Sequence, residues 1–308
     1  MRTSAAFLQF LAQEITGLVH RTEQSGSLWW GAQDQEMCIS QEVRTFSQEE
    51  TQAVLSHPAS LPWIRAREGF AQALLQRNSW FLSALRSRFR FLIIVSPPRT
   101  GGTYLTKSLY RSMGVEPQGL PAYFGHDGFP HVPLNGSGQD QSLAEFAEWL
   151  LMAQHFLPVT RDREGRILVV LKTVKWIWDF STYAEILGDA AEWIWVDRPL
   201  RDILCSINQK AGRDPFWDGP IQPKIQIEHW LLTHWRLHHP SFQGHPLFSQ
   251  AAESYFSTYK NKLRSIQNAH VVHLEYSSAS IGRYLELLNR SHGLQKTSFE
   301  KFAEKKYS

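Results

Sequence analysis

Apolar and polar residues follow two different rhythms along the chain, and the change comes near residue 90. Before it, apolar residues recur at steps of three and four. Met1 to Val19 carries Phe7, Leu8, Phe10, Leu11, Ile15 and Leu18, interrupted by Gln9, Gln13 and Glu14, and this spacing predicts an amphipathic helix. Ser47-Gln48-Glu49-Glu50 has the form of a capping box and predicts a helix start. A further helix is predicted from about Trp63 to Arg86, after Pro58 and Pro62. No strand pattern is visible here, so residues 1–90 read as a helical N-terminal extension or cap on a domain formed by residues 91–308.

From Phe91 onward, short apolar or β-branched runs predict strands at Phe91–Val95, Ile167–Lys172, Glu192–Asp197 and Val271–Glu275. Helical spacing fills the intervals: Thr103–Met113, Ser142–His155, Asp179–Leu187, Leu200–Lys210, Gln222–His238 and about Leu247–Ile266. Alternating strands and helices predict an α/β fold, a P-loop-like three-layer sandwich around a central parallel sheet. Ligands of such sheets bind outside the carboxyl ends of the strands. The stretch Pro117 to Gly138 has no period and is rich in Pro, Gly, His and aromatic residues, which predicts a binding loop.

The chain is organised around the segment from Phe91 to Leu109. A buried strand leads into Pro97-Pro98-Arg99-Thr100-Gly101-Gly102, and a helix begins at Thr103-Tyr104. Strand, glycine-bearing turn and helix together present backbone N–H groups to an anion. Gly101 and Gly102 permit close backbone approach. Arg99, Thr100 and Thr103 add a fixed charge and hydroxyl donors. The expected ligand is a phosphate or a sulfate. The ATPase pattern requires Lys-Ser/Thr directly after the last glycine, and here Lys107 lies a turn into the helix. The alternative for this segment is a crossover whose glycines serve packing alone.

A second segment runs from Trp193 to Ser206. Its strand ends at Asp197, Arg198 follows, and the next helix carries Ser206 eight positions on. An arginine fork and a hydroxyl so placed can converge on one anion. By itself Arg-x7-Ser is a weak signal, and a surface ion pair explains many such arginines.

Together these segments resemble the sulfotransferases that use 3′-phosphoadenosine 5′-phosphosulfate, and within that family the bacterial trehalose 2-sulfotransferase type. The matching residues are Pro98-Arg-Thr-Gly-Gly-Thr-Tyr-Leu105 and the pair Arg198 and Ser206. Leu171-Lys-Thr-Val-Lys-Trp176 is similar to the family's lysine-bearing central strand, and Val271-Val-His-Leu-Glu-Tyr276 to its late strand. Gly114 to Phe124 is similar to the loop after its first helix, and Ser206 to Trp217 to the stretch after its 3′-phosphate motif. The likeness spans roughly Phe91 to Tyr276. It implies that Pro98, Arg99, Thr100, Gly101, Gly102, Thr103 and Tyr104 bind the 5′-phosphosulfate, and that Arg198 and Ser206 hold the 3′-phosphate. It implies a co-substrate, no metal, and an acceptor hydroxyl on a small molecule, carbohydrate or glycolipid.

Sulfuryl transfer requires deprotonation of the acceptor, in-line positioning and stabilisation of the leaving oxygen. Arg99 is placed for the last task, and Lys172 for bridging donor and acceptor. The family's familiar base positions hold Ala122 and Val174 instead. The expected catalytic set is therefore Arg99 and Lys172 with His126 or Asp127, since Gly125-His126-Asp127-Gly128 lies in the irregular loop and His titrates near neutral pH. Glu116, His131 and Asp179 are weaker candidates.

Composition narrows the classes. A net charge of +3 suits an anionic small ligand and is too small and dispersed to argue for nucleic acid. Two cysteines, Cys38 and Cys205, exclude a disulfide framework and fit a reducing, cytoplasmic setting. No run approaches a membrane span. His234 and His238 stand at metal-ligand spacing on a helix without a third ligand, so a packed or solvated helix face is expected. The many Trp and Phe residues would support a homodimer without specifying one. Two other functions stay open: a nucleotide-dependent kinase or phosphotransferase, and a non-catalytic protein that keeps the fold to bind a nucleotide or a partner.

Overall fold

The structure is a computed structural model that describes residues 3–16, 46–95, 97–115, 139–157, 160–172, 180–266 and 270–292. Strands β1 (Phe89–Ile94), β2 (Ile167–Lys172), β3 (Ala191–Asp197) and β4 (His270–Glu275) form one four-stranded sheet in the order β2-β1-β3-β4. All pairings are parallel; Phe91 lies beside Val169 on one side and Ala191 on the other. Phe91, Leu92, Ile93 and Ile94 have no exposed surface. A strand buried on both faces reads as the continuous apolar run seen in the sequence, because helices cover both sides of a parallel sheet. At the edge, β4 exposes His270, His273 and Glu275 and buries Leu274.

The α/β alternation predicted from the sequence is the architecture observed. Helices α5 (Gly102–Ser112), α6 (Gln139–Phe156), α7 (Phe180–Leu187), α8 (Leu200–Lys210), α9 (Gln226–His238) and α10 (Phe248–Arg264) flank the sheet at the predicted places, with ends shifted by a few residues. A final helix, α11 (Ser278–His292), lies outside the predicted set. Its signals are local: Ser277 Oγ accepts the Ser280 N–H at 3.1 Å, and Ile281, Tyr284, Leu285 and Leu288 bury one face.

Four helices precede the sheet: α1 (Ala5–Thr16), α2 (Gln48–Ser56), α3 (Leu61–Leu75) and α4 (Ser79–Arg88). The capping box at Ser47 is present, with the Ser47 hydroxyl on the Glu50 N–H and the Glu50 carboxylate on the Ser47 N–H. The single helix expected over 63–86 is two helices. Arg77 takes a left-handed φ of 50° and Asn78 Oδ1 accepts the Phe81 N–H at 2.9 Å, so the chain stops and restarts. The expected amphipathic first helix is present and packs on the protein: Phe7, Leu8, Phe10 and Leu11 are buried, while Glu14 is exposed. Phe10 packs edge-on against Trp63 and near Phe156, tying α1 and α3 to α6.

Glu148 on α6 anchors this layer. Its carboxylate accepts the Arg67 Nε–H at 2.9 Å and the Ser4 N–H at 3.2 Å. Burial raises its pKa to about 7, while Ser4 and Arg67 pull it down. His234 on α9 is also buried, with its ring edge-on to Tyr255, and burial lowers its pKa to about 4. Among the described residues, no group of three or more His, Cys, Asp or Glu is placed to hold a metal ion, and no helix is long and apolar enough to cross a membrane.

Candidate functional site

The turn after β1 is held by its own hydroxyl: Thr100 Oγ1 donates to the Pro97 carbonyl at 2.7 Å from a buried position. Two left-handed residues flank Thr100, Arg99 with φ 69° and Gly101 with φ 91°. Glycine adopts this conformation freely, whereas for arginine it costs roughly 1–2 kcal/mol. Strain of this kind persists where the surroundings over-determine the backbone, and it clusters at functional sites. Gly101 is the N-cap of α5, and no side chain caps that helix end. The first N–H groups of a helix have no partner within it, so this end presents donors of the kind that can meet an anion.

Neighbours press on both glycines, most closely on Gly101. A Cβ on Gly101 would lie 2.3 Å from Cε2 of Tyr276, and one on Gly102 would lie 3.0 Å from Cε of Lys172 and 3.3 Å from Cγ2 of Ile94. These contacts bring the ends of β4 and β2 onto the turn of β1. Lys172, the last residue of β2, donates from Nζ to Thr103 Oγ1 at 3.0 Å. Arg198, the first residue after β3, donates from a terminal nitrogen to the Arg99 carbonyl at 2.7 Å, and its Cζ stands 4.5 Å from the centre of the Tyr276 ring. Arg99 in turn donates from Nε to Ser206 Oγ on α8 at 2.9 Å.

All four strands therefore contribute at their carboxyl ends. Arg99, Lys172 and Arg198 bring positive charge from three of them. The loops after the adjacent strands β1 and β3 lead to opposite sides of the sheet, because β1 connects onward to β2 and β3 to β4. This is the topological switch point at which open parallel sheets bind ligands. Arg198 and Ser206, expected from the sequence to converge on one anion, both meet Arg99, one at its carbonyl and the other at its guanidinium.

An open cleft of about 220 Å³ continues from this point between β3, α8 and α10, with Thr100, Arg198, Trp195, Glu253, Phe256 and Lys260 among its lining residues. At its rim Asp197 Oδ1 accepts from Trp195 Nε1 at 2.6 Å and from Lys260 Nζ at 3.2 Å. Cys205, next to Ser206, is buried and its thiol pKa is raised by desolvation.

Pro98 and Tyr104 sit half-buried at the two ends of the turn. His126, Asp127, Glu116, His131 and Asp179, with the base positions Ala122 and Val174 and the predicted loop Pro117–Gly138, lie outside the described residues. Tyr276 was legible only as the end of a late strand. An aromatic residue directly after the carboxyl end of a strand was the available signal for its place in the site. Comparisons of the chain with protein-family models, with curated proteins and with solved structures find no match.

Proposed function

We propose that the protein is a sulfotransferase that takes a sulfuryl group from 3′-phosphoadenosine 5′-phosphosulfate to an acceptor hydroxyl, with a carbohydrate or glycolipid as the acceptor class. The observation that carries this reading is the junction of Arg198 and Ser206 at Arg99, which sets the residues expected for a 3′-phosphate directly beside a glycine turn suited to a 5′-phosphosulfate. A ligand with two separated anionic groups matches a site with cations from three strand ends better than a single phosphate does. The resemblance of Pro98–Leu105 and of the Arg198 and Ser206 pair to that family supports the same ligand.

In the proposed reaction the acceptor oxygen attacks sulfur, the bond from sulfur to the 5′-phosphate oxygen breaks, and the acceptor proton passes to a base. Adenosine 3′,5′-bisphosphate leaves. Arg99 and the N-terminus of α5 would offset the charge that develops on the departing phosphate oxygen. Lys172, held by Thr103 at the same end of α5, would steady the sulfuryl oxygens. His126 and Asp127 are the proposed base residues.

Calorimetric titration with adenosine 3′,5′-bisphosphate and with ATP tests the reading. Wild type is expected to prefer the bisphosphate, and Arg198→Ala to weaken it by ~1.5 kcal/mol or more, the scale of a charged hydrogen bond. Preference for ATP would support a kinase. Bisphosphate binding without sulfate loss from the donor, across acceptors, would support a binding protein.

A further inference from the structure

We propose that Tyr276 is a positioning residue that aims Arg198 at the 3′-phosphate of the donor and so sets selectivity for 3′-phosphorylated nucleotides, an inference that rests on the donor reading above. Three contacts fix the ring. The Tyr276 N–H donates to the Asp197 carbonyl at 2.7 Å, which carries the β3–β4 ladder one residue past the last strand pair, Asp197 with Glu275. With the backbone pinned there, the side chain reaches back over the turn of β1. It fills the space that the missing side chain of Gly101 leaves, so close that a Cβ would lie 2.3 Å from Cε2. The guanidinium carbon of Arg198 is then 4.5 Å from the ring centre.

The consequence falls on Arg198. An arginine has many rotamers, and its value for phosphate recognition lies in the direction of its planar fork. Here the ring restrains the guanidinium through its π-system while the Arg99 carbonyl takes one N–H at 2.7 Å. Two restraints of different kinds fix both the position and the direction of the fork before a ligand arrives. The remaining N–H groups of Arg198 are thereby pre-oriented, and the ordering cost of binding a 3′-phosphate is reduced. A ligand that carries only a 5′-phosphate draws on the β1 turn and gains nothing from this arrangement.

The test keeps the ring's shape and weakens the negative potential of its face. Tyr276 is replaced by phenylalanine and then by phenylalanines carrying one, two and three fluorines. Affinities for adenosine 3′,5′-bisphosphate and adenosine 5′-monophosphate are measured calorimetrically at one salt concentration. Tyr276→Phe is expected to stay within about threefold of wild type, and bisphosphate affinity to fall stepwise with fluorination by about tenfold in all, as loss of a cation–π contact predicts. Affinity for the monophosphate is expected to stay constant. A purely structural role would move both ligands together or neither. Equal loss of both, or a flat series in a protein that binds the bisphosphate, overturns the inference alone. Absence of bisphosphate binding by the unmodified protein overturns the donor reading and the inference with it.

Discussion

Arg99 donates from Nε to Ser206 Oγ at 2.9 Å, so one hydrogen bond from a charged donor joins the turn after β1 to the helix after β3. Ser206→Ala removes the acceptor and one of the donors assigned to the 3′-phosphate. Bisphosphate affinity is expected to fall by roughly 1.5–3 kcal/mol, the range for hydrogen bonds to charged groups. Calorimetry checks this, and unchanged affinity would remove Ser206 from the site.

Gly101→Ala meets two obstacles at once, a φ of 91° and the Tyr276 ring at 2.3 Å from the new Cβ. Backbone strain of about 1 kcal/mol or more and overpacking of about 1–3 kcal/mol predict a loss above 2 kcal/mol in urea denaturation. Gly102→Ala keeps a helical conformation and meets Lys172 Cε at 3.0 Å, the flexible part of a side chain. It is expected to cost less stability than Gly101→Ala and to displace Lys172. Equal losses for the two variants would contradict the assigned contacts.

Lys172→Met separates chemistry from binding. The proposal gives Lys172 to the sulfuryl group, which adenosine 3′,5′-bisphosphate lacks. Single-turnover transfer of the sulfuryl group from the donor to the acceptor, read as formation of adenosine 3′,5′-bisphosphate, is therefore expected to slow by about 10²–10³, as for loss of one preorganised charge-stabilising group. Bisphosphate affinity is expected to stay near wild type. The opposite pattern would move Lys172 to the nucleotide.

Two buried groups make stability respond to pH in opposite senses. The Glu148 pKa is raised from 4.5 to about 7, so between these values the folded chain holds a proton that the unfolded chain has lost. Its contribution is full below 4.5 and falls as pH rises to 7. The His234 pKa is lowered from 6.5 to about 4, so the unfolded chain binds a proton that the folded chain refuses. Its contribution is full above 6.5 and falls as pH drops to 4. Denaturation midpoints across this window are expected to rise with pH more steeply than wild type in Glu148→Gln. In His234→Phe they are expected to rise less or to decline. Changes of slope in the reverse directions would refute the assignment.

The sheet was legible because its strands carry their burial in their composition. Phe91–Ile94 is apolar at every position, and only a strand covered on both faces needs that. The strand, turn and helix around residues 101 and 102 were legible for a similar reason, since Gly101 and Gly102 follow an apolar run and open a helix. What the sequence left open depends on contacts between distant segments. Nothing near Tyr276 announces that its ring fills the space above Gly101, and nothing near Ser206 announces that Arg99 reaches it first. The break at Arg77 was hidden because apolar spacing continues through it from α3 into α4, and the evidence for a stop is a single Asn cap. α1 was legible as amphipathic because Gln9, Gln13 and Glu14 mark a polar stripe, while its packing partners on α3 and α6 lie far along the chain.

Arg99 holds a left-handed backbone that glycine would adopt without strain. Backbone strain and side-chain bonding therefore make opposing demands on one position. Arg99→Gly would relax the turn by about 1 kcal/mol. It would also lose the bond to Ser206, which as a hydrogen bond from a charged group is on the scale of roughly 1.5–3 kcal/mol and outweighs that relief. Residue 99 is thus a place where one side-chain bond holds its own backbone in a conformation that arginine would otherwise leave.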